Sequence, residues 1–198
     1  AFRRDINRRG YMRIIVGITG ATGAIYGIRL LQVLRHIGDV ETHLVVSSAG
    51  AICIDYETDW QLDDVYALAD VVHENSDITA SIGSGSFKRD AMIVAPCSMK
   101  SLSAICYSNN DNIITRSADA TLKEHKTLVL VVRETPLHLG HIRTMAAVAE
   151  SGAIILPPMP AFYSRPKNVE DIVNHTVGKI LDVVGVEADI YPRWEGIY

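Results

Sequence analysis

The chain has 198 residues, 48% hydrophobic and 21% charged, the proportions of a folded globular domain and not of a disordered chain. With 19 Lys and Arg against 23 Asp and Glu, the formal net charge is −4, which lacks the overall basicity of a nucleic-acid binder. The most apolar stretch, Ile14 to Leu31, is broken by Gly17, Gly20, Gly23, Gly27 and Arg29, so no membrane span is expected.

Arg3, Arg4, Arg8 and Arg9 crowd the amino end without the apolar core of a secretory signal. Residues 1–11 are expected to be a disordered extension or a cloning remnant ahead of a start at Met12, with a basic nucleic-acid or targeting arm as the alternative. Strands are predicted at Arg13–Thr19, Glu41–Ser47, Ala91–Pro96, Thr127–Val132 and Ala153–Leu156, nearly continuous Val/Ile-rich runs suited to burial on both faces. Amphipathic spacing predicts helices from Gly23 to His36 and from Val169 to Val184. This alternation predicts an α/β fold with a central parallel sheet, in one domain over residues 12–198.

The three cysteines, Cys53, Cys97 and Cys106, form no Cys-x-x-Cys pair and have no His at ligand spacing. A disulfide framework and a zinc site are therefore not expected, and the reading is a reduced, cytoplasmic protein without a metal. The seven His show no metal pattern, and His138 and His141 read as helix-start residues.

Open parallel sheets bind ligands beyond the carboxyl ends of their strands. The first predicted strand runs into Thr19-Gly20-Ala21-Thr22-Gly23, the second into Ser47-Ser48, the third into Pro96-Cys97-Ser98 and the fourth into Arg133-Glu134-Thr135-Pro136. Gly17-x-x-Gly20-x-x-Gly23 opens a helix and suits an anion or nucleotide, or else a plain tight turn. It is neither a Gly-x-Gly-x-x-Gly fingerprint nor a P-loop. Ser84-Gly85-Ser86 and Ser98-Met99-Lys100-Ser101 add hydroxyls and amides that suit a flavin mononucleotide, while Cys97 reads as a packed small residue. Arg116, Lys123, Arg133 and Glu134, joined by Tyr163 and Lys179, offer cations and one carboxylate to a phosphate monoester; the alternative is a surface salt-bridge network. Glu57 is a candidate general acid or base, or an ordinary surface carboxylate. Trp194 is an exposed-tail aromatic expected to bury against something, another subunit being one candidate.

These segments together resemble the UbiX-type flavin prenyltransferases. The resemblance runs from Gly17–Ala24 through Ser98–Ser101, Arg116–Asp119, Leu122–Glu124 and Val132–Leu137 to Pro157–Tyr163, and spans about Met12 to Trp194. It implies a Rossmann-like three-layer fold and a metal-independent transfer of the dimethylallyl group of dimethylallyl phosphate to reduced FMN, at N5 and C6. The product, prenylated FMN, serves a UbiD-type decarboxylase, commonly on the ubiquinone pathway, and the enzyme is a homo-dodecamer with sites at subunit junctions. Carried over by position, Gly20, Ala21, Thr22, Ser47, Ser98, Met99, Lys100, Ser101 and Arg133 line the FMN. Arg116, Lys123, Arg133, Glu134, Tyr163 and Lys179 hold the phosphate. Glu57, Glu134, Lys123 and Thr22 take the catalytic roles, and Trp194 closes the prenyl pocket. Lys179 stands where the family often has Arg, and Asn112 and Ser117 stand where Gly and Ala are expected. The rival readings are an FMN-dependent cysteine decarboxylase of the same fold and a non-catalytic FMN carrier.

Overall fold

Valine and isoleucine run almost without interruption through six segments of the computed structural model, which describes residues 11–196. The basic arginines of the amino end lie outside the described residues. The six strands are β1 (Met12–Ile18), β2 (Val40–Val46), β3 (Val71–Glu74), β4 (Ala91–Cys97), β5 (Thr127–Val132) and β6 (Ile154–Ile155). All pairings are parallel, in the order β3-β2-β1-β4-β5-β6. The strand order reverses between β1 and β4, which is where a doubly wound sheet opens its ligand crevice.

Side chains alternate across the sheet and feed two separate cores. Ile14, Val16 and Ile18 of β1 pack with α1 (Ala24–Ile37) and α7 (Val169–Val184) on one face. Ile15 packs on the other face with α4 (Met99–Cys106), α5 (Ile113–Lys123) and α6 (Leu139–Glu150). The two cores make the three layers. Ile14, Ile15, Ile18, Leu30, Leu31 and Leu44 are fully buried, and each such side chain stabilises the fold by about 1.5–3 kcal/mol relative to exposure. Two further helices, α2 (Ser48–Glu57) and α3 (Leu62–Tyr66), connect β2 to β3. Among the described residues, no helix is long and apolar enough to cross a membrane.

The predicted strands match observed ones to within one or two residues at each end, and the last helix spans Val169–Val184 as expected. His138 is the N-cap of α6 and accepts from the His141 N–H at 3.3 Å, the helix-start role read from the sequence. The sequence reading missed β3. That strand has four residues on the sheet edge, Val71 and Val72 are each more than a third exposed, and it carries no long apolar run.

Candidate active site

The loop after β1 is tied to the end of β4. Thr19 donates its hydroxyl to the Pro96 carbonyl at 2.8 Å and accepts from the Ser98 N–H at 2.9 Å. Gly20 then passes so close to α2 that a Cβ there would sit 2.3 Å from the Ala49 Cβ. Gly23 takes φ +102° as the N-cap of α1 and has no side chain to cap with. The missing cap comes from Glu57 at the end of α2, whose Oε2 accepts from the Gly23 N–H at 2.7 Å and the Ala24 N–H at 3.3 Å. The anion at this helix terminus is therefore the chain's own carboxylate, and a ligand phosphate does not have those N–H groups free. Glu57 is exposed beside Thr22, at the tip of the same loop.

Ser47 and Ser98, expected to line a cofactor, have structural duties as well. Ser47 caps α2 by accepting from the Gly50 N–H at 3.0 Å, and Ser98 caps α4 by accepting from the Ser101 N–H at 3.2 Å while donating to the Ser101 hydroxyl at 3.1 Å. Arg133 follows β5 at the same edge, its N–H donating to the Cys97 carbonyl at 3.2 Å. Glu134 comes next, exposed, and accepts from the Thr135 N–H at 3.0 Å. Cys97 is wholly buried and its thiol is pushed up to about 12 by desolvation, so it packs and does not act as a nucleophile. Beside Ser47 and Ser48 lies an open cleft of about 720 Å³, also lined by Tyr66, Asn75 and Asn112. Asn75 was not singled out by the sequence, yet its Oδ1 is buried there with no partner. The cleft, the close approach at Gly20, the paired serine caps and the orphaned amide oxygen fit a mononucleotide with few fixed charges.

A second group of expected residues gathers along α7. Tyr163 donates to or accepts from His175 Nε2 at 3.2 Å and packs edge-on against Trp194, ring centroids 5.6 Å apart. Lys179 lies 3.7 Å from Asp182, which Arg193 grips through both guanidinium arms. Tyr26 of α1 stands between the first two groups: burial, the largest influence, raises its phenol, while the Arg133 charge and the neighbouring Thr176 hydroxyl lower it.

The remaining two, Arg116 and Lys123, lie on α5. Helix α5 starts beside Asn75, beyond the carboxyl end of β3, where the Ile113 N–H donates to the Asn75 carbonyl at 3.0 Å. It runs antiparallel to the sheet and ends just before β5 begins. Lys123 therefore lies at the amino-end edge, and a whole strand, roughly 17–20 Å, separates it from Glu134. Ser84, Gly85 and Ser86 also lie toward that edge: a Cβ on Gly85 would meet Lys123 and Glu124, and Arg89 holds the Ser84 carbonyl. The expectation that Arg116, Lys123, Arg133 and Glu134 form one cluster is corrected by this geometry. Within one chain Lys123 lies across the sheet from Arg133 and Glu134 because β5 intervenes, whereas Arg116 lies one turn into α5, near the end where that helix starts.

Asn112 is the side-chain N-cap of α5, accepting from the Thr115 N–H at 3.1 Å, which gives that departure a local purpose. Ser117 is fully buried and its hydroxyl has no partner; nothing in the structure explains it. Among the described residues, no group of three or more His, Cys, Asp or Glu is placed to hold a metal ion.

Comparison with known proteins matches a flavoprotein family model over residues 4–181. The flavin prenyltransferase UbiX of Escherichia coli K12 is 55% identical over 186 residues, covering 93% of this chain and 98% of that protein. This chain belongs to the UbiX flavin prenyltransferase family. The same family is reached from the fold. A solved structure of AnUbiX (PadA1) in complex with FMN and dimethylallyl pyrophosphate superposes with a TM-score of 0.92 at 48% identity, covering 94% of this chain and 99% of that one. A dodecameric FMN-dependent UbiX-like decarboxylase from Escherichia coli O157:H7 gives the same TM-score at 49% identity, covering 93% and 100%. The FMN-dependent cysteine decarboxylase TvaF, at 13% identity over 89% of this chain and 99% of its own, with a TM-score of 0.64, shares the fold alone.

Proposed function

We propose that this chain is a flavin prenyltransferase, joining the dimethylallyl group of dimethylallyl phosphate to reduced FMN and releasing prenylated FMN and phosphate. The observation that carries this reading is the 55% identity to a flavin prenyltransferase over almost the full length of both chains. Reduced FMN supplies the nucleophilic ring positions N5 and C6; the chain supplies placement, charge and protons. Gly20, Ala21, Thr22, Ser47, Ser98, Met99, Lys100, Ser101 and Arg133 hold the flavin at the carboxyl edge.

Loss of phosphate from an allylic carbon builds negative charge on the leaving oxygens, which preorganised cations stabilise without reorganising. Arg133, Tyr163 and Lys179 meet that phosphate, and Lys179 does so as a point charge without the fork an Arg would offer. Glu134 manages the phosphate proton, and Glu57, beside Thr22, moves the proton released on ring closure. Lys123 completes the cradle from a neighbouring subunit, a reading supported by its place across β5 from Glu134, Arg116 joins it there, and Trp194 covers the apolar prenyl group. A dodecamer, the assembly of the Escherichia coli O157:H7 relative, supplies such junctions. The product goes to a UbiD-type decarboxylase of aromatic acids, as on the ubiquinone pathway. The three free thiols are compatible with the cytoplasm as the compartment. Residues 12–198 act as one catalytic unit, a reading supported by two cores that share one sheet.

The test is anaerobic incubation of the protein with reduced FMN and dimethylallyl phosphate, with flavin mass read by spectrometry. The expected result is a gain of one C5H8 unit that Glu134→Ala abolishes. Bound FMN of unchanged mass would overturn the reading in favour of a carrier.

A further inference from the structure

We infer that His175 of α7 is a positioning residue that turns the Tyr163 hydroxyl proton toward the phosphate of the bound prenyl substrate. The role rests on the functional reading above and goes beyond it, because His175 belongs to none of the motifs that carry the family likeness. Its Nε2 lies 3.2 Å from the Tyr163 Oη. The imidazole is wedged between two phenols, edge-on to Tyr163 with centroids 5.8 Å apart and edge-on to Tyr191 at 5.0 Å. Tyr191 is fixed in turn: its hydroxyl donates to Asp182 at 2.5 Å, and Arg193 holds the same carboxylate. The ring cannot rotate freely, so the geometry toward Tyr163 is set before substrate arrives.

A tyrosine hydroxyl has one proton to give and lone pairs to receive with. Two acceptors compete for that proton within the chain, His175 Nε2 and the Pro192 carbonyl, 3.3 Å from the same oxygen. If Nε2 were bare, Tyr163 would spend its proton on the ring and turn lone pairs toward an anionic phosphate. With the proton on Nε2, His175 donates to Oη, and the phenolic O–H is left for the Pro192 carbonyl or, once substrate is present, for a phosphate oxygen. Burial, the larger influence, and the nearby Lys179 charge both hold His175 below the ordinary histidine range, so near neutral pH the ring adds no charge to the cradle. Tyr163, Tyr191 and Lys179 face it, with the Asp182–Arg193 pair behind Tyr191.

Calorimetric binding of dimethylallyl phosphate to the assembled protein loaded with oxidised FMN tests this without turnover. His175→Phe keeps a ring and removes the donor, and is expected to weaken binding about tenfold or more, the worth of one hydrogen bond to a bound anion. His175→Gln restores an N–H donor and is expected to stay within about twofold of wild type. In a Tyr163→Phe background, His175→Phe is expected to add nothing, because the hydroxyl it acts through is gone. Unchanged binding in His175→Phe, equal loss in His175→Gln, or additive losses in the double variant would each overturn the role. His175→Leu takes the place of the Phe variant if that protein does not assemble, with the same expected loss. Wild-type turnover with reduced FMN is followed alongside. Failure to prenylate would overturn the functional reading, whereas normal turnover with unchanged binding in His175→Phe would overturn the role of His175 alone.

Discussion

On the proposed function, Glu57 would combine a structural and a catalytic duty on one carboxylate. It caps α1 through the Gly23 and Ala24 N–H groups and stands beside Thr22, where the family chemistry moves a proton. Glu57→Ala is therefore expected to abolish prenyl transfer and also to lower stability by about 1 kcal/mol, or roughly 2–4 °C in Tm for a chain this size. A thermal melt beside the flavin-mass assay checks both, and an unchanged Tm would contradict the capping role. Asp182 is governed by pH. Hydrogen bonds from Arg193, the largest influence, and from Tyr191 hold its carboxyl below the ordinary aspartate value, against a smaller opposing effect of burial. A depressed folded pKa gives stability that is present above the unfolded value and lost as pH falls through the folded one. Docking of the carboxyl-terminal segment should loosen as pH falls from about 4 downward, read as a change in Trp194 fluorescence against a Trp60→Phe background. Asp182→Asn should show the loosened signal already at neutral pH. A flat acid response in wild type would contradict the account. The duty of Cys97 was legible because a small apolar residue behind Pro96 had no base in sequence reach. The cap from Glu57 was not, because 34 residues separate it from Gly23 and only the fold closes that distance.

Elements divide along the same line. Four strands were legible because their Val and Ile runs are buried on both faces, β6 because its short edge segment is apolar throughout, and β3 was not because an edge strand of four residues need not be. The turn after β1 was legible as a binding loop, although the reason it must be glycine at 20 lies in α2. Gly20→Ala would set a methyl 2.3 Å from the Ala49 Cβ and push the loop off that helix. The expected cost is about 1–3 kcal/mol of stability together with loss of FMN during purification, checked by flavin absorbance and a melt. Full FMN retention would show that the loop does not shape the cofactor site. Sequence spacing misled most at α5. Lys123 and Glu134 are neighbours by residue number, and a helix turning into a strand sends them to opposite edges.

At the scale of the molecule, one chain holds Glu134 and Lys123 on opposite edges of its sheet, so on the proposed function a single chain does not complete the site. Tyr56, Tyr107, Met159 and Phe162 are each at least 70% exposed, apolar surface that assembly would cover. Composition and periodicity gave no sign of this division, because a subunit junction leaves no period in the sequence. On the proposed function, each working site joins Glu134 of one subunit to Lys123 of another. The most direct measurement is prenyl transfer by co-assembled Lys123→Ala and Glu134→Ala chains, each of which is expected to be inactive alone. Random mixing in a closed oligomer should restore both side chains at about a quarter of junctions and return a corresponding share of wild-type activity. Mixed assemblies as inactive as either parent would contradict the account.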